Sequence, residues 1–248
     1  MDHGRRAERT YPVVVASGSY REMGEQIGRA AAASIGALCA MYAEDDSKPG
    51  ASPVSVDAAV DAAREECPHL LEEIEGMAAG AGVSVEALIR LNGGGAAMPW
   101  QGAEPEPEGE TGGCTSLALV EAAADDGGDS DSVSGVRSLL GQNWDNEPRV
   151  DPYTIVTIRR PSAKNVPSTI CVGRAGLIGY IGFSSSGFGI LLNALRGEGT
   201  TGLPLYFNVR LVLESFSLEQ VYATKPRLLT LCSGSRSCLI HQNEMIDR

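Results

Sequence analysis

Positive charge is scarce in this 248-residue chain: 20 Lys and Arg stand against 32 Asp and Glu, a formal net charge of -12 at pH 7. Nucleic-acid binders concentrate Lys and Arg to neutralise phosphates, so the balance argues against that class of partner. Eight of the acidic residues fall in 104–110 and 125–131, stretches without Lys or Arg that read as solvated loops. Histidine is rarer still, with three residues isolated at positions 3, 69 and 241. The six cysteines, at 39, 67, 114, 171, 232 and 238, form no C-x-x-C pair. Neither a zinc cluster nor a disulfide framework is expected from such spacing. Most of the thiols read as small buried hydrophobes in a reducing compartment. No apolar run approaches the roughly 20 residues that cross a bilayer. The opening MDHGRRAERTYPVVVA holds arginines but no apolar core of signal-peptide length. These absences together predict a cytoplasmic protein with no metal, cofactor, nucleic-acid or membrane partner.

What is present suffices for a core: 43% of the residues are hydrophobic. Tyr11 to Ala16 reads as a strand. Ser19 then caps a helix over 20–43, with Glu22 placed to complete a capping box. That helix carries Gly24, Gly28, Ala31, Ala32 and Gly36, a small-residue stripe that lets another backbone come close. Further helices are predicted over 55–66, 70–79 and from a Ser84 cap through Ile89. Lys48 to Pro53 reads as a loop between them. After residue 112 the character changes. Strands are predicted over 115–120, 139–144, 153–159, 168–172, 176–183 and 187–193, with a long acidic loop at 122–136. Helical spacing returns at 204–215 and 218–224, and a last strand is predicted at 236–241. Helices, then antiparallel meanders, then helices again point to an α+β protein.

Three motifs carry the chemistry: Gly112-Gly113-Cys114-Thr115-Ser116, GQNWD (141–145), and the run from Gly187 that ends Leu192-Asn193-Ala194. Each alone has an ordinary reading, respectively a strand entry, a turn with a capping acid, and a turn-forming asparagine. Their order resembles the acyl-coenzyme A:6-aminopenicillanic-acid acyltransferase family of N-terminal-nucleophile hydrolases. The similarity extends to GLIGYIGFSSSGFGILLNALRGEGTTGLP (176–204), RLVLESFSLEQVY (210–222), SYREMGEQIGRAAAASI (19–35) and CPHLLEEIEGMAAGAGVSVEALIRLN (67–92).

The resemblance implies an αββα sandwich of antiparallel sheets flanked by helices. It also implies a precursor that cuts its own Gly113–Cys114 bond. Residues 1–113 would then form a helix-rich segment and 114–248 a sheet-rich one, the two staying associated as parts of one fold. Gly113 leaves its carbonyl open to the thiol. Cleavage would give Cys114 a free α-amine of pKa near 8, able to act as the nucleophile's own base. By the same resemblance Asp145 would hold the ammonium or orient the thiol. Asn193 matches the strand-end asparagine of the related bile-salt amidases and would donate to the oxyanion. Asn143 reads as a structural neighbour and Ser116 as a strand residue without a base partner.

The expected activity is self-processing acyl transfer or amide hydrolysis through a Cys114 thioester, on a small acyl amide or acyl thioester and without a cofactor. Two departures from the family pattern stand out. Gly93-Gly94-Gly95-Ala96 replaces polar residues, and family members continue well past Arg248. A truncated sheet would leave edges and apolar surface open. The competing expectations are a truncated, non-catalytic remnant or binding protein, and a Cys-His hydrolase using His69 or His241.

Overall fold

The computed structural model describes residues 10–46, 55–94, 114–121, 137–145, 148–194, 203–222, 235–241 and 244–247. The predicted loops over 48–53 and 122–136 and the residue Gly113 lie outside this set. An extended strand β1 (Val13–Gly18) leads into helix α1 (Tyr20–Ala30) through the expected capping box. Ser19 N donates to Glu22 Oε2 at 2.8 Å, and Ser19 Oγ accepts from Glu22 N at 3.3 Å. The helix predicted over 20–43 is two: α1 gives way at Ala31 to α2 (Ala32–Asp46). Ala31 N still bonds Ile27 O, and Ile35 N bonds Ala31 O. Ala31 thus closes α1 as a donor and opens α2 as an acceptor, and its non-helical backbone (φ -116, ψ 18) separates the two helices.

Helix α3 (Val56–Glu66) starts at its Ser55 cap, and α4 (Pro68–Ala81) carries Pro68 in its first turn, where no amide donor is needed. Gly82, at φ +70, ends α4 in a left-handed cap. Helix α5 (Val85–Ile89), capped by Ser84, runs into a wider turn over 90–94. There Asn92 is buried and satisfied on both ends of its amide. It donates to Leu88 O and Gly176 O at 2.8 and 2.9 Å, and accepts from Ile178 N at 2.8 Å.

The small-residue stripe on α1 meets a matching one on α4. A methyl group on Gly24 would lie 2.0 Å from Glu73 O, and one on Gly28 would lie 2.3 Å from Met77 O. In return, Gly76 faces Arg21 O at 2.2 Å and Gly80 faces Glu25 O at 2.4 Å on the same measure. The two backbones are in contact at four glycines, as the stripe on α1 predicts.

Strands β4 (Thr154–Pro161), β5 (Thr169–Arg174), β6 (Ile181–Ser184), β7 (Phe188–Ala194), β8 (Ser235–His241) and β9 (Glu244–Asp247) join β1 in a seven-stranded sheet of order β1-β4-β5-β6-β7-β8-β9. The sheet departs from the antiparallel expectation, because β1 pairs with β4 in parallel. Parallel pairing requires a long crossover, and α1–α5 lie between the two strands in the chain. The strand predicted over 176–183 also starts later, at Ile181. Gly176 adopts φ +91, and Asn92 holds the stretch around it as a turn.

Side chains of β4 alternate cleanly. Ile155, Thr157 and Arg159 are buried on the helical face, whereas Val156 and Ile158 point the other way. The registers align the outward residues into two apolar rows across four strands: Val13–Val156–Val172–Ile181 and Val15–Ile158–Ile170–Phe183. Val13, Val15, Ile170, Val172 and Phe183 are exposed there. Further along, the outward face is covered by a hairpin of β2 (Cys114–Glu121) and β3 (Arg137–Trp144), whose Leu140 reaches over Gly189 of β7. Helices, large sheet and hairpin thus form three successive layers.

Between helices and sheet lies a charged core. Glu73 of α4 and Arg159 of β4 are fully buried and joined at 2.6 Å. Arg210, on helix α6 (Leu205–Leu213), meets Glu73 at 3.3 Å and Glu214 at 2.8 Å. Arg159 also donates to Thr157 Oγ1 and Leu177 O, and Arg210 to Ile178 O. Buried charges persist only when paired and hydrogen-bonded in this way.

Candidate active site

The hairpin sets the site. In β2 the alternation places Cys114, Ser116 and Ala118 on the half-buried face and Thr115, Leu117 and Leu119 on the exposed one. The cross-strand partners of the first three are Trp144, Gln142 and Leu140. Residues directly opposite share a face, so these six line the surface turned toward the large sheet. On β7, Asn193 lies four residues from Gly189, on the same sheet face, and therefore points at the hairpin.

Two side-chain contacts fasten these layers. Ser116 Oγ donates to Asn193 Oδ1 at 2.9 Å. Gln142 donates through Nε2 to Leu192 O and accepts at Oε1 from Leu192 N at 3.2 Å, in the manner of a paired strand residue. Cys114 is a free thiol, half-buried at the start of β2. Beside it Trp144 packs on Tyr180, with ring centroids 5.1 Å apart, and Tyr180 meets Tyr206 edge-on at 5.2 Å. Burial holds the Tyr180 phenol well above its ordinary value; Tyr206 adds to the rise, Arg174 opposes it, and Cys114 adds to it again. Arg174 donates to the hydroxyls of Tyr42 and Tyr206. The wall next to the thiol is therefore aromatic and neutral, with one cation behind it.

Asn193 is thus brought to the strand of Cys114, and Asp145 stands apart. Asp145 directly follows Trp144, the register partner of Cys114, but its side chain is exposed. It has no hydrogen bond or ion pair to another described residue. Asn143 faces outward, opposite Thr115. Histidine is engaged elsewhere: His69 meets Glu214 at 3.2 Å and the Tyr20 ring at 4.8 Å. His241 pairs with Phe188, at the far end of β7 from Asn193 and roughly 16 Å along the strand. Cys171 is buried in the core, and burial pushes the Cys39 thiol up to about 11. Among the described residues no group of three His, Cys, Asp or Glu is placed to hold a metal. No helix among them is long and apolar enough to cross a membrane.

The sequence motifs single out Cys114 and Asn193 but not the residues that join them. Ser116 and Gln142 stand two positions from Cys114 and Trp144, the strand spacing that keeps side chains on one face. That period is the signal for their placement, but it does not show which strand they would meet.

A stretch of this chain is similar to an acyltransferase. Over 88 residues, 34% of the chain, it is 38% identical to the acyl-coenzyme A:6-aminopenicillanic-acid-acyltransferase 40 kDa form of Emericella nidulans. The match spans 24% of that protein, about a quarter of its length. No family model matches the chain. The relationship is therefore one of partial homology to an acyltransferase, within an α+β protein whose large sheet is mixed.

Proposed function

We propose that the protein is a self-processing acyltransferase or amidohydrolase with Cys114 as its nucleophile. The observation that carries this reading is the seating of Cys114 at the first residue of β2, between hairpin and sheet, with Asn193 tied to the same strand face. The partial homology to an acyltransferase points to the same chemistry.

In the processing step the Cys114 sulfur attacks the Gly113 carbonyl and displaces the Cys114 amide nitrogen, which takes up the thiol proton. Water then hydrolyses the thioester, leaving a Gly113 carboxylate and a Cys114 that carries both thiol and α-amine. In turnover the α-amine accepts the thiol proton while sulfur attacks an acyl amide or acyl thioester. The leaving group departs with that proton, and water or an amine releases the acyl group. Asn193 donates to the oxyanion of each tetrahedral intermediate. Asp145 pairs with the new ammonium once the chain end is free to move toward it. No cofactor enters the scheme.

The fold this chemistry implies is the N-terminal-nucleophile αββα sandwich, and the succession of helices, large sheet and hairpin is compatible with it. The segments 1–113 and 114–248 stay associated after cleavage. Their support is the β1–β4 pairing and the buried Glu73–Arg159 bridge, each of which joins one segment to the other. The exposed apolar rows favour a second reading, a non-catalytic binding protein. Trapping separates the two. Incubation with a p-nitrophenyl acyl ester should add one acyl group to Cys114, seen by peptide mass mapping. Cys114→Ala should abolish the adduct and Cys171→Ala should not. Absence of any adduct at Cys114 would favour the binding protein.

A further inference from the structure

We propose that Ser116 and Gln142 are positioning residues that hold Asn193 with its amide nitrogen turned toward the carbonyl attacked by Cys114. The proposal rests on the reading of Cys114 as nucleophile and goes beyond it. Ser116 and Gln142 are opposite one another in the hairpin, two register positions from Cys114 and Trp144 and on the same face. From that pair two contacts reach consecutive residues of β7. Gln142 engages both backbone groups of Leu192, and Ser116 donates to the side-chain oxygen of Asn193 at 2.9 Å.

An asparagine amide has an acceptor end and a donor end, and a half-turn about its terminal torsion exchanges them. An oxyanion needs the donor end. The Ser116 hydroxyl occupies the oxygen end, which leaves both Nδ2 hydrogens directed away from Ser116. The Gln142 clamp removes the remaining freedom by fixing the backbone before Asn193. A donor aimed in advance requires no reorganisation when charge develops, which is where such groups contribute most to rate.

The experiment compares two reactions of the same thiol in the full chain. Acylation by p-nitrophenyl butyrate passes through an oxyanion; alkylation by iodoacetamide does not. Ser116→Ala should slow acylation roughly tenfold, the effect of one hydrogen bond on a donor's aim. Alkylation of Cys114 should keep its rate. Ser116→Thr, which retains the hydroxyl, should restore acylation. The double variant Ser116→Ala/Asn193→Ala should be no slower than Asn193→Ala alone, because Ser116 acts only through Asn193. Gln142→Met should show the same lack of additivity.

Equal loss in acylation and alkylation would mean that Ser116 merely supports the hairpin, and would overturn the proposal. So would additive losses in the double variant. If Cys114→Ala releases p-nitrophenolate as fast as the parent, the nucleophile itself is misassigned. That failure is distinguishable because it does not depend on Ser116.

Discussion

Arg159 Nε donates to Glu73 Oε1 at 2.6 Å, and neither side chain is exposed to solvent. A strand residue and a helix residue thus share a charge pair between the helices and the large sheet. Arg210 closes the group from a second helix, so three elements meet on one carboxylate. Removing one member leaves buried charge uncompensated. Glu73→Gln is expected to destabilise the fold by about 3–5 kcal/mol, read as a lowered urea midpoint. A loss within about 1 kcal/mol would show that the pair is not what joins helices to sheet.

Glu214 gives the fold an acid limit. Burial works against its charge, but Arg210 and then His69 overcome this and hold its carboxyl below the ordinary 4.5. A carboxyl depressed in the folded state stabilises the fold above the unfolded value, and the contribution is lost as pH falls through the folded value. Stability should therefore hold from neutrality down to about pH 4.5 and decline below it. In Glu214→Gln the decline between the two values should be shallower when urea midpoints are followed against pH. An unchanged slope would remove Glu214 from the account.

Two glycines make opposite predictions for the same substitution. Gly24→Ala places a methyl group 2.0 Å from the Glu73 carbonyl oxygen, which is backbone and cannot swing aside. Forcing α1 and α4 apart should cost about 1–3 kcal/mol or more. Gly36, in α2, has nothing within 4 Å of the same position. Gly36→Ala should stabilise by about 0.5–1 kcal/mol through helix propensity alone. Thermal melts of the two variants moving in the same direction would contradict the packing described.

How legible was this in the sequence? The helices were, since Ser19 and Ser84 read as caps and the apolar period continues between them. The Gly24/Gly28 stripe announces a close neighbour, although its partner stripe on α4 is visible only in three dimensions. Local pattern does not encode strand partners, so the parallel pairing of β1 with β4 was hidden. Arg159 was hidden for a related reason: an alternating strand with an arginine on one face normally turns that face to water. Only the arrival of Glu73 from helix α4 reverses the rule. At the site, Cys114 and Asn193 stand out by motif and do lie on facing layers. Ser116 read as a plain strand residue because its partner is 77 positions away. Asp145 is adjacent in sequence to the partner of Cys114, yet it alternates to the exposed side.

The central claim is a backbone scission that makes Cys114 a chain end, and N-terminal sequencing of the purified protein tests it most directly. Two sequences are expected after incubation, one beginning upstream of Gly113 and one beginning Cys-Thr-Ser-Leu. Cys114→Ala should give the first alone, and Asp145→Asn should yield the second more slowly. Protein that transfers acyl groups while Gly113 and Cys114 remain joined would contradict it.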